Sequence, residues 1–238
     1  MMTGFALRAL ALFSLICVAA VGCGQRAEDD IAEALPPQSY GEETDSNVEL
    51  WLETMELGSR ELYSARNDVV SALKLEQGDR IADIGAGTGL YTVLFAESVG
   101  QSGTVFAVDI EPRFLKLINQ RTADLDFTNV TSVLGRDNSI TLPGEAVDVV
   151  FISDTYNYFE DPQALMTSVF QSLAPGGELF IIDFDIVEGE PRNENNEHVR
   201  VGKTALIEEV ESIGFMLEEE VGVPNLTASY MLRFRKPE

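Results

Sequence analysis

Short apolar runs alternate with longer amphipathic stretches from Val48 to the end of the chain. Over Val48–Leu75, Leu50, Trp51, Met55, Leu62, Val69 and Leu73 recur at roughly helical spacing, which predicts one or two helices. Arg80–Ile84 predicts a first strand, then a glycine-rich turn and a helix from Leu90 to about Ser98. Thr104–Asp109 predicts a second strand, with a helix starting at Pro112, whose fixed φ suits a first turn. Val130–Leu134 is a weaker third strand, and Val147–Ser153 is an apolar run suited to a strand buried on both faces. Asp161 can cap a helix with Pro162 in its first turn and a stripe of Leu165, Met166, Val169, Phe170 and Leu173. Pro175-Gly176-Gly177 stops that helix, and Glu178–Phe184 is a fifth strand. A helix over Lys203–Ile213 ends at Gly214, and Phe215–Val223 and Tyr230–Arg235 form two strands separated by Pro224 and Asn225. Five strand–helix units and a terminal hairpin predict a doubly wound α/β sheet with ligands at the carboxyl ends of its strands.

The chain before Val48 follows a different pattern. Arg8 precedes an uncharged apolar run, Ala9–Val21, too short for the ~20 helical residues of a membrane span but suited to a secretory signal. Residues 1–22 are therefore expected to be a signal peptide. Ala20-Val21-Gly22-Cys23 resembles a bacterial lipobox, with Ala20 where leucine is usual and Cys23 as the lipidated residue. An ordinary signal-peptidase site or a buried apolar helix would also suit this stretch. Residues 23–47 are rich in Asp, Glu, Pro and Gly, the composition of an acidic disordered tether. The domain proper is then 48–238. An exported lipoprotein facing the periplasm from the outer membrane is expected, with a soluble periplasmic or cytoplasmic protein as alternatives.

Charge and cysteine usage narrow the function classes. Forty acidic residues face sixteen basic ones in 238, a formal charge of −24. Such a surplus repels phosphate backbones and anionic membranes, so no nucleic-acid partner is expected and membrane contact is confined to an N-terminal lipid. Both cysteines, Cys17 and Cys23, precede the domain, and His198 is the only histidine. These exclude a disulfide framework, a cysteine metal site and a paired-histidine zinc site, and no metal is expected.

The most informative segment is Asp83-Ile84-Gly85-Ala86-Gly87-Thr88-Gly89, at the junction of the first strand and its helix. Glycines there let the backbone turn tightly and approach a nucleotide. The dinucleotide fingerprint needs glycine at 90, where Leu90 stands. With Asp109 lying 24 residues past Gly85, with Val147-Asp148-Val149-Val150, and with Pro-Gly-Gly before the fifth strand, the chain resembles class I S-adenosylmethionine-dependent methyltransferases, of a small bacterial type with unassigned substrate. The resemblance runs from about Leu50 to Phe234 and implies a Rossmann-like seven-stranded sheet, mostly parallel, with an antiparallel C-terminal hairpin.

The resemblance also implies roles. Asp83 faces the ammonium of S-adenosyl-L-methionine, and the backbone of Gly85, Ala86, Gly87 and Gly89 lies under its amino-acid and sugar parts. Asp109 takes the ribose hydroxyls, with Ile110 next to it. Asp137 and Asn138 meet the adenine, and Asp154 lines the reacting end; a loop cap at Asp83, a plain turn at Asp137-Asn138 and a solvated strand end at Asp154 are the alternatives. Catalytic candidates are Asp154, Tyr156 and His198, the last followed by Arg200, suited to an anionic substrate; an aromatic at a strand end such as Tyr156 more often serves packing. A polar surface pair at a helix start accounts equally well for His198 and Arg200. Asn157-Tyr158 stands where many relatives carry histidine. Arg60, Tyr63 and Arg66, three apart on one helix face, suit a cap over the cleft or, equally, pairing with the chain's many carboxylates. The expected activity is methyl transfer to a small-molecule acceptor. Alternatives are a catalytically silent, tethered ligand-binding module and an NAD-dependent oxidoreductase, the second disfavoured by Leu90.

Overall fold

A computed structural model of the chain describes residues 46–58, 60–186 and 196–238. The expected leader, Cys23 and nearly all of the acidic segment lie outside them. All described residues belong to one compact unit, Glu43–Glu238. Among them, no helix is long and apolar enough to cross a membrane.

Among the described residues three short helices come first: α1 (Ser46–Met55), α2 (Glu61–Ser64) and α3 (Arg66–Leu73). The apolar spacing over 48–75 predicted one or two. The first helix ends at Met55, the second starts at Glu61, Ala65 separates the second from the third, and Leu50 stays on the surface at 38% exposure. Then follow β1 (Arg80–Ile84), α4 (Leu90–Val99), β2 (Thr104–Asp109), α5 (Pro112–Asp124), β3 (Val130–Leu134), β4 (Val147–Ser153), a 3₁₀ turn (Tyr156–Tyr158), α6 (Pro162–Ser172), β5 (Leu173–Phe184), α7 (Lys203–Ile213), β6 (Met216–Glu220) and β7 (Ser229–Arg235).

The strands form one seven-stranded sheet in the order β3-β2-β1-β4-β5-β7-β6. The first five are parallel, and β7 runs antiparallel between β5 and β6. This is the doubly wound, Rossmann-like arrangement with its terminal hairpin. Strand periodicity divides the core. Ile81, Val105, Val149, Phe151, Phe180 and Ile182 face α3 and α4, while Ala82, Val108, Val150, Ile152 and Ile181 face α6 and α7. Ala107 packs with Ile118 of α5.

Two predicted helices start as their sequences dictate. Glu111 accepts from the amide of Arg113 at 3.0 Å, and Asp161 from that of Ala164 at 3.0 Å, each followed by proline in the first turn. Elsewhere the fold departs from the pattern. No helix joins β3 to β4, so there are four strand–helix units, not five. The segment between them carries Gly135, Pro143 and Gly144 without an apolar helical stripe, and it plugs the core with Ile140. Pro175-Gly176-Gly177 does not precede β5 but lies inside it, where the register with β4 shifts. Strand β6 ends at Glu220, three residues short of the predicted Val223.

Candidate functional site

Strands β2 and β4 both flank β1, so connections leave in opposite directions and a crevice opens at the carboxyl end of β1. The turn at Gly85 fills that end. The amides of Gly85 and Ala86 both donate to Val108 O, at 2.8 and 3.1 Å, which pins the turn to β2. Gly85 has φ +70°, and a Cβ there would lie 2.3 Å from Thr155 Cγ2, so only glycine fits. This contact brings the segment after β4 directly onto the glycine turn. Gly89, also at positive φ, starts α4, and no side chain caps that helix. Its first amides are a ready anion site.

Two buried acids frame the turn. Asp83 is 3% exposed and accepts from Thr92 Oγ1 at 2.6 Å. Burial pushes its carboxyl up to about 7, the negative charge of Asp109 adds to this, and the Thr92 hydrogen bond opposes it. Asp109 accepts from the Gly87 amide through Oδ2 and from the Glu111 amide through Oδ1, both at 2.9 Å. Burial raises it above the ordinary carboxylate range, against those amide bonds. Past Asp109, half-exposed Ile110 joins Arg136, Asp137 and Asn138 around an open recess of about 690 Å³. Residues expected to hold ribose and adenine are thus neighbours in space.

The first helices are tied over this crevice. Met55 of α1 lies against Gly87, Glu56 pairs with Arg121 of α5, and Arg121 also donates to Thr88 O at 2.9 Å. Of the three residues expected to cap the cleft, Arg60 pairs with Asp154 at its edge. The three do not share one helix: Arg60 is the extended residue before α2 and Arg66 starts α3, where its guanidinium stacks 4.1 Å over the Tyr63 ring.

A second cluster lies beyond β4 and β5. Asp154 adopts a left-handed φ of +49°, its amide donating to Ile182 O at 2.9 Å. Its Oδ1 stands 3.1 Å from His198 Nε2. The Tyr158 ring stacks on His198 at 4.9 Å, and Phe184 meets it edge-on at 6.0 Å. The segment bearing His198 is held by Asn157, whose Oδ1 accepts from the amides of Arg200 and Val201 at 2.9 and 3.0 Å. Asp183 closes the cluster, 1% exposed, raised to about 6 by burial first and then by the charge of Asp154.

Tyr156 is a correction. It is fully buried in the layer facing α6 and α7, and its hydroxyl donates to Glu209 Oε2 at 2.8 Å. The hydroxyl therefore faces α7, away from the glycine turn. Arg200 forms a two-bond pair with the same Glu209, at 2.9 and 2.7 Å, so its charge is already matched. Sequence reading missed Asp183. An acid at the end of the apolar run of β5 repeats the pattern of Asp83 in β1 and was the available signal.

A β1 acid, a glycine turn, a β2 acid and a C-terminal antiparallel hairpin together define the S-adenosylmethionine-dependent methyltransferase class of α/β proteins. The family model described as a methyltransferase domain matches residues 75–221, and the chain belongs to that family. A ubiquinone/menaquinone biosynthesis C-methyltransferase of Cronobacter sakazakii is 29% identical over 120 residues, 50% of this chain and 48% of that protein. A demethylmenaquinone methyltransferase of Anoxybacillus flavithermus is 26% identical over 118 residues, 50% of each chain. The chain thus spans about half the length of the curated relatives it matches. Among solved structures, an S-adenosylmethionine-dependent methyltransferase from Aquifex aeolicus superposes with a TM-score of 0.68 at 22% identity, covering 82% of this chain and 99% of that one. Phosphoethanolamine N-methyltransferase 2 of Haemonchus contortus, in complex with S-adenosyl-L-methionine, gives 0.65 at 17% identity, over 82% of this chain and 58% of that one.

S-adenosylmethionine is the cofactor of this family, and the residues present fit it. No N-cap side chain closes the start of α4, and Asp83 and Asp109 are buried acids on either side of one glycine turn, set to meet an ammonium and a ribose.

Proposed function

We propose that the domain transfers a methyl group to a small, flat ring compound bearing an ionisable hydroxyl. One observation carries this reading. Thr155 packs on Gly85, so the Asp154–His198 pair is set beside the turn expected to hold the methyl donor. When bound, S-adenosylmethionine supplies an electrophilic methyl group whose leaving sulfide needs no proton. Asp109 binds the ribose hydroxyls while holding the Gly87 amide, Asp83 faces the ammonium, and the α4 amides face the carboxylate, a contact worth ~0.3–1 kcal/mol. His198 donates from Nε2 to Asp154, which leaves Nδ1 as the nitrogen that accepts a proton from the acceptor. Tyr158 and Phe184 flank the imidazole and present apolar surface to a ring. Curated relatives named for quinone biosynthesis support a ring acceptor.

Methyl transfer from radiolabelled S-adenosylmethionine to a panel of phenols, quinols and hydroxyl-free analogues tests this. Transfer confined to hydroxylated rings is expected, with His198→Ala lowering kcat by about 10²–10⁴ while cofactor affinity stays the same. Cofactor binding with no transfer to any member would leave a ligand-binding module instead.

Export and lipid attachment at Cys23 complete the proposal. The uncharged run Ala9–Val21 behind Arg8, the small residues before Cys23 and the acidic stretch after it support them.

A further inference from the structure

We infer that Asp154, Asp183 and His198 form a binding site for one divalent transition-metal cation at the acceptor end of the crevice. A carboxylate oxygen from each aspartate and a ring nitrogen of the histidine all lie within 4.8 Å of one another. His198 Nε2 and Asp154 Oδ1 are 3.1 Å apart, the separation of adjacent ligands around an ion with bonds of about 2.0–2.2 Å.

Asp183 is the independent observation. It is 1% exposed, and its Oδ2 has no hydrogen-bond partner, although Oδ1 accepts from the Phe184 amide at 2.8 Å. The Nδ2 of Asn157, also buried, makes no close hydrogen bond either, and it faces Asp183 near enough to favour the ionised carboxylate. A buried carboxylate oxygen left unmatched opposite a second carboxylate is costly, and a bound cation supplies the missing charge. The donors come from three places in the chain: the end of β4, the end of β5 and the segment before α7. A chain with one histidine gives no metal spacing to read, so this set exists only in the fold.

Arg60 is the competing cation. It already pairs with Asp154, and its side chain is 32% exposed, so it can swing out when an ion enters. Two carboxylates suit Mn²⁺ and the imidazole admits it over Mg²⁺ or Ca²⁺. An ion held there would face the acceptor hydroxyl and favour its ionised form. With an ion on Nε2 the ring proton sits on Nδ1, so in the metal-bound state the ion, and not His198, favours ionisation of the acceptor; the inference rests on binding alone.

Mn²⁺ titration of the purified full chain, followed by electron paramagnetic resonance, tests the site. Mn²⁺ is preferred to Zn²⁺ because the thiols of Cys17 and Cys23 compete less for it. One saturable site is expected, weakened about tenfold or more in Asp183→Asn and in His198→Gln. Arg60→Ala should bind Mn²⁺ at least as tightly as the parent chain, because it frees Asp154. S-adenosylmethionine titration of each variant reports whether it is folded. If Asp183→Asn is not folded, His198→Gln, which changes a partly exposed side chain, decides alone. No saturable binding up to about 1 mM, a smaller loss in either folded variant, or weaker binding in Arg60→Ala overturns the site.

Discussion

Asp109 Oδ2 accepts a hydrogen bond from the Gly87 amide at 2.9 Å, so the acid at the end of β2 holds the glycine turn it faces. One carboxylate thus shapes the site and is its expected ribose acceptor. Asp109→Ala removes both roles and should weaken S-adenosylmethionine binding by at least about tenfold, or ~1.4 kcal/mol. Asp109→Asn keeps an oxygen for one amide and should lose less. Titration calorimetry of the two variants decides. An alanine variant that binds like the parent would remove Asp109 from the site.

Tyr156 and Glu209 make the opposite case, a polar contact that serves packing. The hydroxyl donates at 2.8 Å to a carboxylate already held by Arg200 through two bonds. In Tyr156→Phe, Glu209 keeps its cation, so the loss is one hydrogen bond, about 0.5–1.5 kcal/mol of stability. Methyl transfer should be unchanged within about twofold, because the ring stays in place. Denaturant unfolding and steady-state kinetics check both numbers. A kcat reduced by more than about tenfold with normal stability would place Tyr156 at the acceptor.

The strands and the glycine turn were legible because their signals are local. Period-two burial, capping acids before proline and glycines at fixed offsets each lie within a few residues. Asp83 and Asp109 were singled out through the methyltransferase resemblance, the first two residues before Gly85 and the second 24 residues past it. The second cluster was not legible as a unit. Asp154 meets Arg60 across 94 residues and His198 across 44, and nothing in the intervening sequence announces either pairing. Asp183 was hidden in an apolar strand, and Asn157 was noticed only as a departure from histidine, although its side chain positions the His198 segment. The missing β3–β4 helix is an error of another kind: strand–helix alternation was extended over a Gly- and Pro-containing segment that packs Ile140 without forming a helix.

Cys23 carries the prediction on cellular location. If it is the lipidated residue, Cys23→Ser leaves unprocessed precursor and releases the protein from the membrane fraction. A covalent lipid is needed because the chain's charge of −24 repels anionic surfaces. Fractionation with metabolic lipid labelling measures both effects. Unchanged fractionation of the serine variant would sink lipid anchoring, and an unprocessed parent chain would sink export.

The pH dependence of cofactor binding follows from the burial of Asp83. Burial raises Asp83 from an ordinary 3.8 to about 7, with Asp109 adding to the shift and Thr92 opposing it. The folded chain therefore holds this proton where the unfolded chain has lost it. Stability contributed by the protonated form is lost as pH rises from about 4 through about 7, and Asp83→Asn should flatten that fall. A bound ammonium reverses the preference, because it favours the ionised carboxylate. S-adenosylmethionine affinity should then rise with pH up to about 7 and level off, with proton release on binding below that point. Asp109 is raised too and contributes with the same sign, so the comparison between parent and Asp83→Asn isolates Asp83. Calorimetry in two buffers of different ionisation enthalpy, across pH 6 to 8, reads the released proton directly. An Asp83→Asn variant with the same rise in affinity would show that the ammonium is neutralised elsewhere, and the role of Asp83 would be confined to holding Thr92 and the start of α4.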